Sequence, residues 1–145
     1  MEKIRFDSGM KEYKLGDLGV LRFNPADPNL YARFLEAAEK ITEIEEELSQ
    51  KAKDIPENDG GRIVTLLQEA DGKMKKTLDW IFGNSTDFDK LLEGVNLLAM
   101  GANGQRVVTN LFDALQPVLL AGAKAYTGQQ VVAAKKRANA RRAAQ

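Results

Sequence analysis

The stretch Asp27-Pro28-Asn29-Leu30-Tyr31-Ala32-Arg33-Phe34-Leu35-Glu36-Ala37-Ala38-Glu39-Lys40-Ile41-Thr42-Glu43-Ile44-Glu45-Glu46-Glu47-Leu48 decides the architecture. Asp27 before Pro28 has the form of a helix N-cap followed by proline at the first helical position, where a fixed φ and a missing N–H do no harm. Leu30, Phe34, Ala37, Ile41, Ile44, Leu48 and Ala52 then step by three or four and share one face. Glu36, Glu39, Glu43 and Glu45 to Glu47 cover the others. The spacing predicts one helix from Pro28 to about Lys53, about 39 Å long at 1.5 Å per residue. That is long for 145 residues, so part of it is expected to overhang the compact body or to meet another subunit.

Downstream, Pro56-Glu57-Asn58-Asp59-Gly60-Gly61 is a clear break, short enough for an antiparallel helix hairpin. A second apolar stripe follows in Ile63, Leu66, Leu67, Ala70, Met74, Leu78 and Ile81, ending at Phe82-Gly83-Asn84 with Gly83 as the terminating residue. Ser85-Thr86-Asp87 can cap a shorter third helix carrying Phe88, Leu91, Leu92 and Val95, and residues 101–104 read as a turn. Val107, Val108, Leu111, Phe112, Leu115, Val118 and Leu119 mark a fourth helix, with a kink or break expected at Pro117. Residues 127–145 hold five basic residues, no acidic ones and many alanines, with only Val131 and Val132 bulky and apolar. With no stripe to dock it, this segment is expected to be a solvated helix or disordered.

Upstream, Ile4, Phe6, Tyr13, Leu15, Val20, Leu21 and Phe23 sit among Gly9, Gly16 and Gly19. Short β-favouring runs broken by glycine suggest two or three small strands. A ribbon this small is marginal alone and must lie on a helix or pair with another chain. The fold class is therefore mainly α with a small N-terminal β ribbon, a helical hairpin plus shorter helices. Its parts are a ribbon over residues 1–24 packed on a helical body over 25–126, and a basic alanine-rich tail over 127–145.

Composition narrows the chemistry. Lys+Arg and Asp+Glu both number 21, so net charge favours neither attraction to nor repulsion from a polyanion. The chain has no cysteine, which removes thiol nucleophiles, disulfides and cysteine-held metals, and no histidine, which removes the usual catalytic base and the commonest transition-metal ligand. Carboxylates, lysines, tyrosines and hydroxyls remain, without a constellation of acid, base and nucleophile. No enzyme activity, catalytic residue, metal or cofactor is expected. Met1-Glu2-Lys3-Ile4-Arg5 is charged and precedes no apolar signal region, and apolar runs reach only about seven residues, as at 117–123, against roughly twenty for a membrane span. The expected location is cytosolic, where the glycosylation pattern Asn84-Ser85-Thr86 carries no chemistry.

Four local patterns have plainer explanations. Asn24, Asp27 and Asn29 lack calcium-loop spacing and read as a turn and cap. Glu45 to Glu47 read as the wet side of a helix. Residues 101–106 share with KH domains only a G-x-x-G, which a helix stop and an Asn-Gly turn also produce. Trp80-Ile81-Phe82 reads as core, because Ile81 continues the buried period; exposed, it would be a partner-binding hot spot. The basic tail offers charge to phosphates but no aromatic side chain to stack bases, so a nucleic-acid partner is not expected.

The order of landmarks resembles a family. The segment Val20-Leu21-Arg22-Phe23-Asn24-Pro25-Ala26-Asp27-Pro28-Asn29-Leu30-Tyr31-Ala32-Arg33-Phe34, then Ile81-Phe82-Gly83, Asp87-Phe88, Asn103-Gly104 and Asn110-Leu111-Phe112, is similar to small tail assembly chaperones of long-tailed phages and prophages. The likeness covers roughly residues 1–126 and leaves the basic end outside; many members are more acidic overall. It implies a binder of the tape measure protein, a very long apolar helical chain kept soluble in the host cytoplasm until tail-tube subunits polymerise around it. The tail-tube subunits are further partners on this reading, and a homo-oligomer is compatible with it. The long helix over residues 30–52 and the ribbon edge are the expected contact surfaces, with Phe34, Ile41, Ile44 and Leu48 as partner-binding residues. Two alternatives belong to other classes: a structural tail or connector protein retained in the virion, and a small nucleic-acid-binding regulator using the basic tail.

Overall fold

The computed structural model describes residues 1–83 and 85–143, excepting the side chains of 127–133 and 143. Asn84 of the glycosylation pattern and the Val131 and Val132 side chains lie outside the described residues. The chain is mainly helical with a small N-terminal ribbon. Strands β1 (Lys11–Lys14) and β2 (Val20–Phe23) precede helices α1 (Pro28–Lys53), α2 (Gly60–Phe82), α3 (Phe88–Leu91) and α4 (Val107–Ala143). The strands pair antiparallel, Lys11 opposite Phe23 and Lys14 opposite Val20. β2 alternates as the sequence suggests, with Leu21 and Phe23 inward and Val20 and Arg22 outward. Residues 1–10 form no strand.

The starts of α1, α2 and α3 are each fixed by an aspartate. Asp27 accepts from the Asn29 N–H at 2.9 Å, Asp59 from Arg62 at 3.3 Å and Asp87 from Lys90 at 3.2 Å. Each bond satisfies an N–H that the first helical turn leaves open. Gly83, at φ 114°, ends α2 and donates its N–H to the Asp79 carbonyl.

α1 and α2 run antiparallel. Arg33 reaches the Ile81 carbonyl at 2.9 Å near one end, and Lys73 lies 3.7 Å from Glu47 further along. The 26 residues of α1 are matched by 23 of α2, so the length that suggested an overhang is taken up by the hairpin. Leu30, Phe34, Ala37, Ile41 and Leu48 of α1 meet Ala70, Met74, Leu78 and Ile81 of α2 in one core with Val108, Leu115 and Leu119 of α4. Tyr13, Phe23, Phe82 and Phe88 form a run of rings, 4.6, 5.1 and 5.6 Å between successive centroids, that ties the ribbon to α2 and α3.

Three expectations are corrected. α3 is a single turn: Glu93 at φ 53° and Gly94 at φ 78° turn the backbone left-handed directly after Leu92, and Val95 is exposed. α4 continues unbroken through Pro117, which sits on an exposed position of the helix. Trp80 is not core. Its neighbour Ile81 is sealed, whereas Trp80 points outward beneath the Lys40 ammonium, 4.2 Å from the ring centre.

Candidate partner-binding surface

The α2 helix positions the ribbon side of the molecule through a polar row one helical turn apart. Asp71 accepts from the Leu97 N–H at 2.8 Å, Lys75 bridges Asp71 at 2.9 Å and Asp89 at 2.6 Å, and Asp79 accepts from the Phe88 N–H at 2.8 Å. The spacing i, i+4, i+8 puts all three on one edge of the helix. Lys75 is only 5% exposed. Burial presses its pKa down, but the bonds it donates to Asp89 and Asp71, together with their charges, outweigh this and leave it above the ordinary lysine value. Burial raises the Asp79 carboxyl, helped by Asp87 and Asp89 nearby and opposed by the Phe88 N–H. The row holds residues 87–98 against α2 and seats Phe88, Leu92, Leu97 and Leu98 in the core.

That anchored segment carries the ribbon. Gly19 donates its N–H to the Leu91 carbonyl at 3.0 Å, and a Cβ there would meet the Leu91 side chain at 2.8 Å. Glycine is therefore what lets the hairpin loop approach this closely. At the other end, α4 crosses the Asn24–Asp27 turn so tightly that a Cβ at Gly122 would overlap the Pro25 carbonyl.

Between the ribbon and α4 a groove of about 320 Å³ remains. Tyr13, Leu15, Leu18 and Phe23 form one wall, Val107, Leu111, Ala114, Leu115 and Val118 the other, and Leu92 closes one side; Lys14 and Asn110 add polar groups to the lining. Leu15, Leu18, Leu111 and Val118 are half-buried and Ala114 is exposed, so a bound apolar side chain would complete their burial. Two further depressions of about 400 Å³ each lie elsewhere. One is near the free end of the hairpin, with Glu45, Leu48, Ala52, Ile63 and Arg106; the other lies beside β2, with Met10, Val20, Thr86 and Lys90.

The residues expected to touch a partner are distributed unevenly. Phe34 and Ile41 are core residues, Phe34 stacking on Phe112 at 5.1 Å, and nothing reaches them without opening the fold. Ile44 is half-buried; Leu48 is buried, yet lines the depression at the hairpin end. The exposed ribbon includes Val20, while Ile4 and Phe6 preceding it are 91% and 79% exposed. Sequence reasoning missed the groove because its two walls are about ninety residues apart in the chain. The outward members of the fourth apolar stripe, Leu111 and Val118, were its legible half.

Among the described residues no group of three acidic side chains is placed to hold a metal ion, and no buried side-chain polar atom lacks a partner. Among them, too, no helix is long and apolar enough to cross a membrane. Comparison with known protein families, with curated proteins and with solved structures finds no match.

Proposed function

We propose that this chain is a tail assembly chaperone of a long-tailed phage or prophage, a non-enzymatic binder that keeps the tape measure protein soluble in the host cytoplasm. The observation that carries the reading is the apolar groove between the ribbon and α4, with Leu15, Leu18, Leu111, Ala114 and Val118 on its walls. A long apolar helix free in water is an aggregation hazard. Laying its exposed stripe into such a groove covers it without making or breaking a bond, and anchors at helical spacing supply the affinity. The resemblance in residues 20–34 supports the same reading, because those residues form β2, the Asn24–Asp27 turn and the start of α1, the frame that sets one groove wall.

The contact surface of this proposal is therefore the groove and the exposed ribbon, not Phe34 or Ile41. Co-expression with a tape measure segment tests it: the segment is expected in the soluble fraction with the chain and in inclusion bodies without it. The chain is expected to be absent from purified particles. A segment that stays insoluble beside abundant folded chain overturns the proposal. Several copies retained per particle would instead identify a structural tail or connector component.

A further inference from the structure

The neutral net charge conceals an uneven distribution along the chain. Residues 124–145 hold Lys124, Lys135, Lys136, Arg137, Arg141 and Arg142 and no acidic residue, so they carry +6; since the whole chain sums to zero, residues 1–123 carry −6. All six basic side chains are exposed, and among the described residues none makes an ion pair. They sit on the continuous helix α4. Twenty residues from 124 to 143 extend about 30 Å at 1.5 Å each.

The direction of α4 keeps its basic end away from the acidic stretch of α1 in the same chain. Phe112 stacks on Phe34 of α1, and ten residues later Gly122 packs on Pro25, ahead of the start of α1. Continuing the same helix carries residues 124–143 past the N-terminal end of α1 and away from its acidic middle. There, Glu39, Glu43 and Glu46 lie on the outer face at i, i+4, i+7, exposed and without an ion pair among the described residues. Leu35, 51% exposed, stands one turn before Glu39.

We propose that the basic end of α4 docks on the outer face of α1, from Leu35 to Glu46, of a second copy of this chain. The contact pairs two helices, each with the charge the other lacks. It joins different surfaces on the two copies, so it either closes as a reciprocal pair, each tail on the other's α1, or repeats head to tail. A nucleic acid is the weaker fit, because the body behind the tail carries −6 and would be repelled by phosphates. This inference does not depend on the tape measure reading.

Sedimentation velocity of the full chain tests it at about 25 mM and about 500 mM salt, where screening lengths differ severalfold. Wild type is expected to associate at low salt and to run as a monomer at high salt. A tail-reversed chain (Lys135→Glu, Lys136→Glu, Arg137→Glu, Arg141→Glu, Arg142→Glu) and a face-reversed chain (Glu39→Lys, Glu43→Lys, Glu46→Lys) are each expected to lose self-association at least tenfold, with helicity by circular dichroism unchanged. An equimolar mixture of the two is expected to associate again at low salt, since each now offers what the other lacks. A wild type that is monomeric at both salts overturns the proposal. So does either reversed chain associating as wild type does, or a mixture that stays monomeric. Low-salt binding of a short DNA duplex that the tail-reversed chain loses, together with a monomeric mixture, assigns the tail to nucleic acid instead.

Discussion

Replacing Lys75 by methionine removes one ammonium while keeping the length and much of the packing of the stem. In the wild type that ammonium touches Asp71 at 2.9 Å and Asp89 at 2.6 Å from a position 5% exposed. Breaking a buried ion pair from one side costs about 3–5 kcal/mol. Here the figure is smaller. The Asp89 side chain is 66% exposed and rehydrates, and Asp71 keeps the N–H of Leu97 at 2.8 Å. The expected loss is about 2–3 kcal/mol, which for a chain of this size lowers the melting temperature by roughly 6–15 °C. Thermal and urea unfolding followed at 222 nm measure it. Adding Asp71→Asn removes the stranded carboxylate but leaves an oxygen for Leu97, so the double variant is expected to recover about 1 kcal/mol relative to the single. The pH dependence has a definite sign. A lysine whose folded pKa lies above its unfolded 10.5 contributes its full stabilisation below 10.5 and loses it as pH rises through the higher folded value. The gap between wild type and Lys75→Met should therefore hold steady from pH 7 to about 10 and close above that. A single variant within about 0.5 kcal/mol of wild type, or a double variant no better than the single, would refute this account of the polar row.

Two glycines in helices predict opposite signs. Gly122→Ala drives a Cβ into the Pro25 carbonyl and is expected to cost about 1–3 kcal/mol, whereas Gly72→Ala, with open space around it, is expected to gain about 0.5–1 kcal/mol; urea midpoints compare them. Asp79→Asn retains an acceptor for the Phe88 N–H and removes a carboxylate whose burial raises its pKa. Because that penalty is absent below the unfolded value of 3.8 and grows as pH rises through the folded one, the variant should melt above wild type at pH 7 and level with it in acid. Leu97→Ala, at a fully buried loop position, should cost about 2–4 kcal/mol by the same unfolding assays.

The helices were readable where local chemistry and periodicity agree. Asp27, Asp59 and Asp87 cap as aspartates before helices do, and the stripes of α1 and α2 meet face to face. The errors arise where a longer-range term wins. The stripe through Val95 predicted a longer α3, but Asp71 and Lys75 on α2 hold this segment as a loop that inserts Leu97 and Leu98. The sequence predicts a kink or break at Pro117, yet α4 runs on through it, and its outward position leaves the inward contacts of Leu115 and Leu119 intact. Trp80 lies beside Ile81, and one residue along a helix is a turn of about 100°, enough to move a side chain from core to solvent. As for the candidate surface, the period that marked Phe34 and Ile41 as apolar could not distinguish a face sealed by α2 from one left for a partner. The groove depends on how the ribbon sits on α4, which Gly19 and Gly122 set through contacts distant in sequence.

The most direct test of the binding account is titration calorimetry of the chain with a tape measure helix segment at several temperatures. The account predicts saturable binding with a negative heat-capacity change, the mark of apolar surface leaving water. It further predicts loss of that binding in Ala114→Asp, a change on the exposed lip of the groove that leaves the melting temperature within a few degrees of wild type. No saturable binding, or binding that Ala114→Asp leaves unaltered, would contradict it.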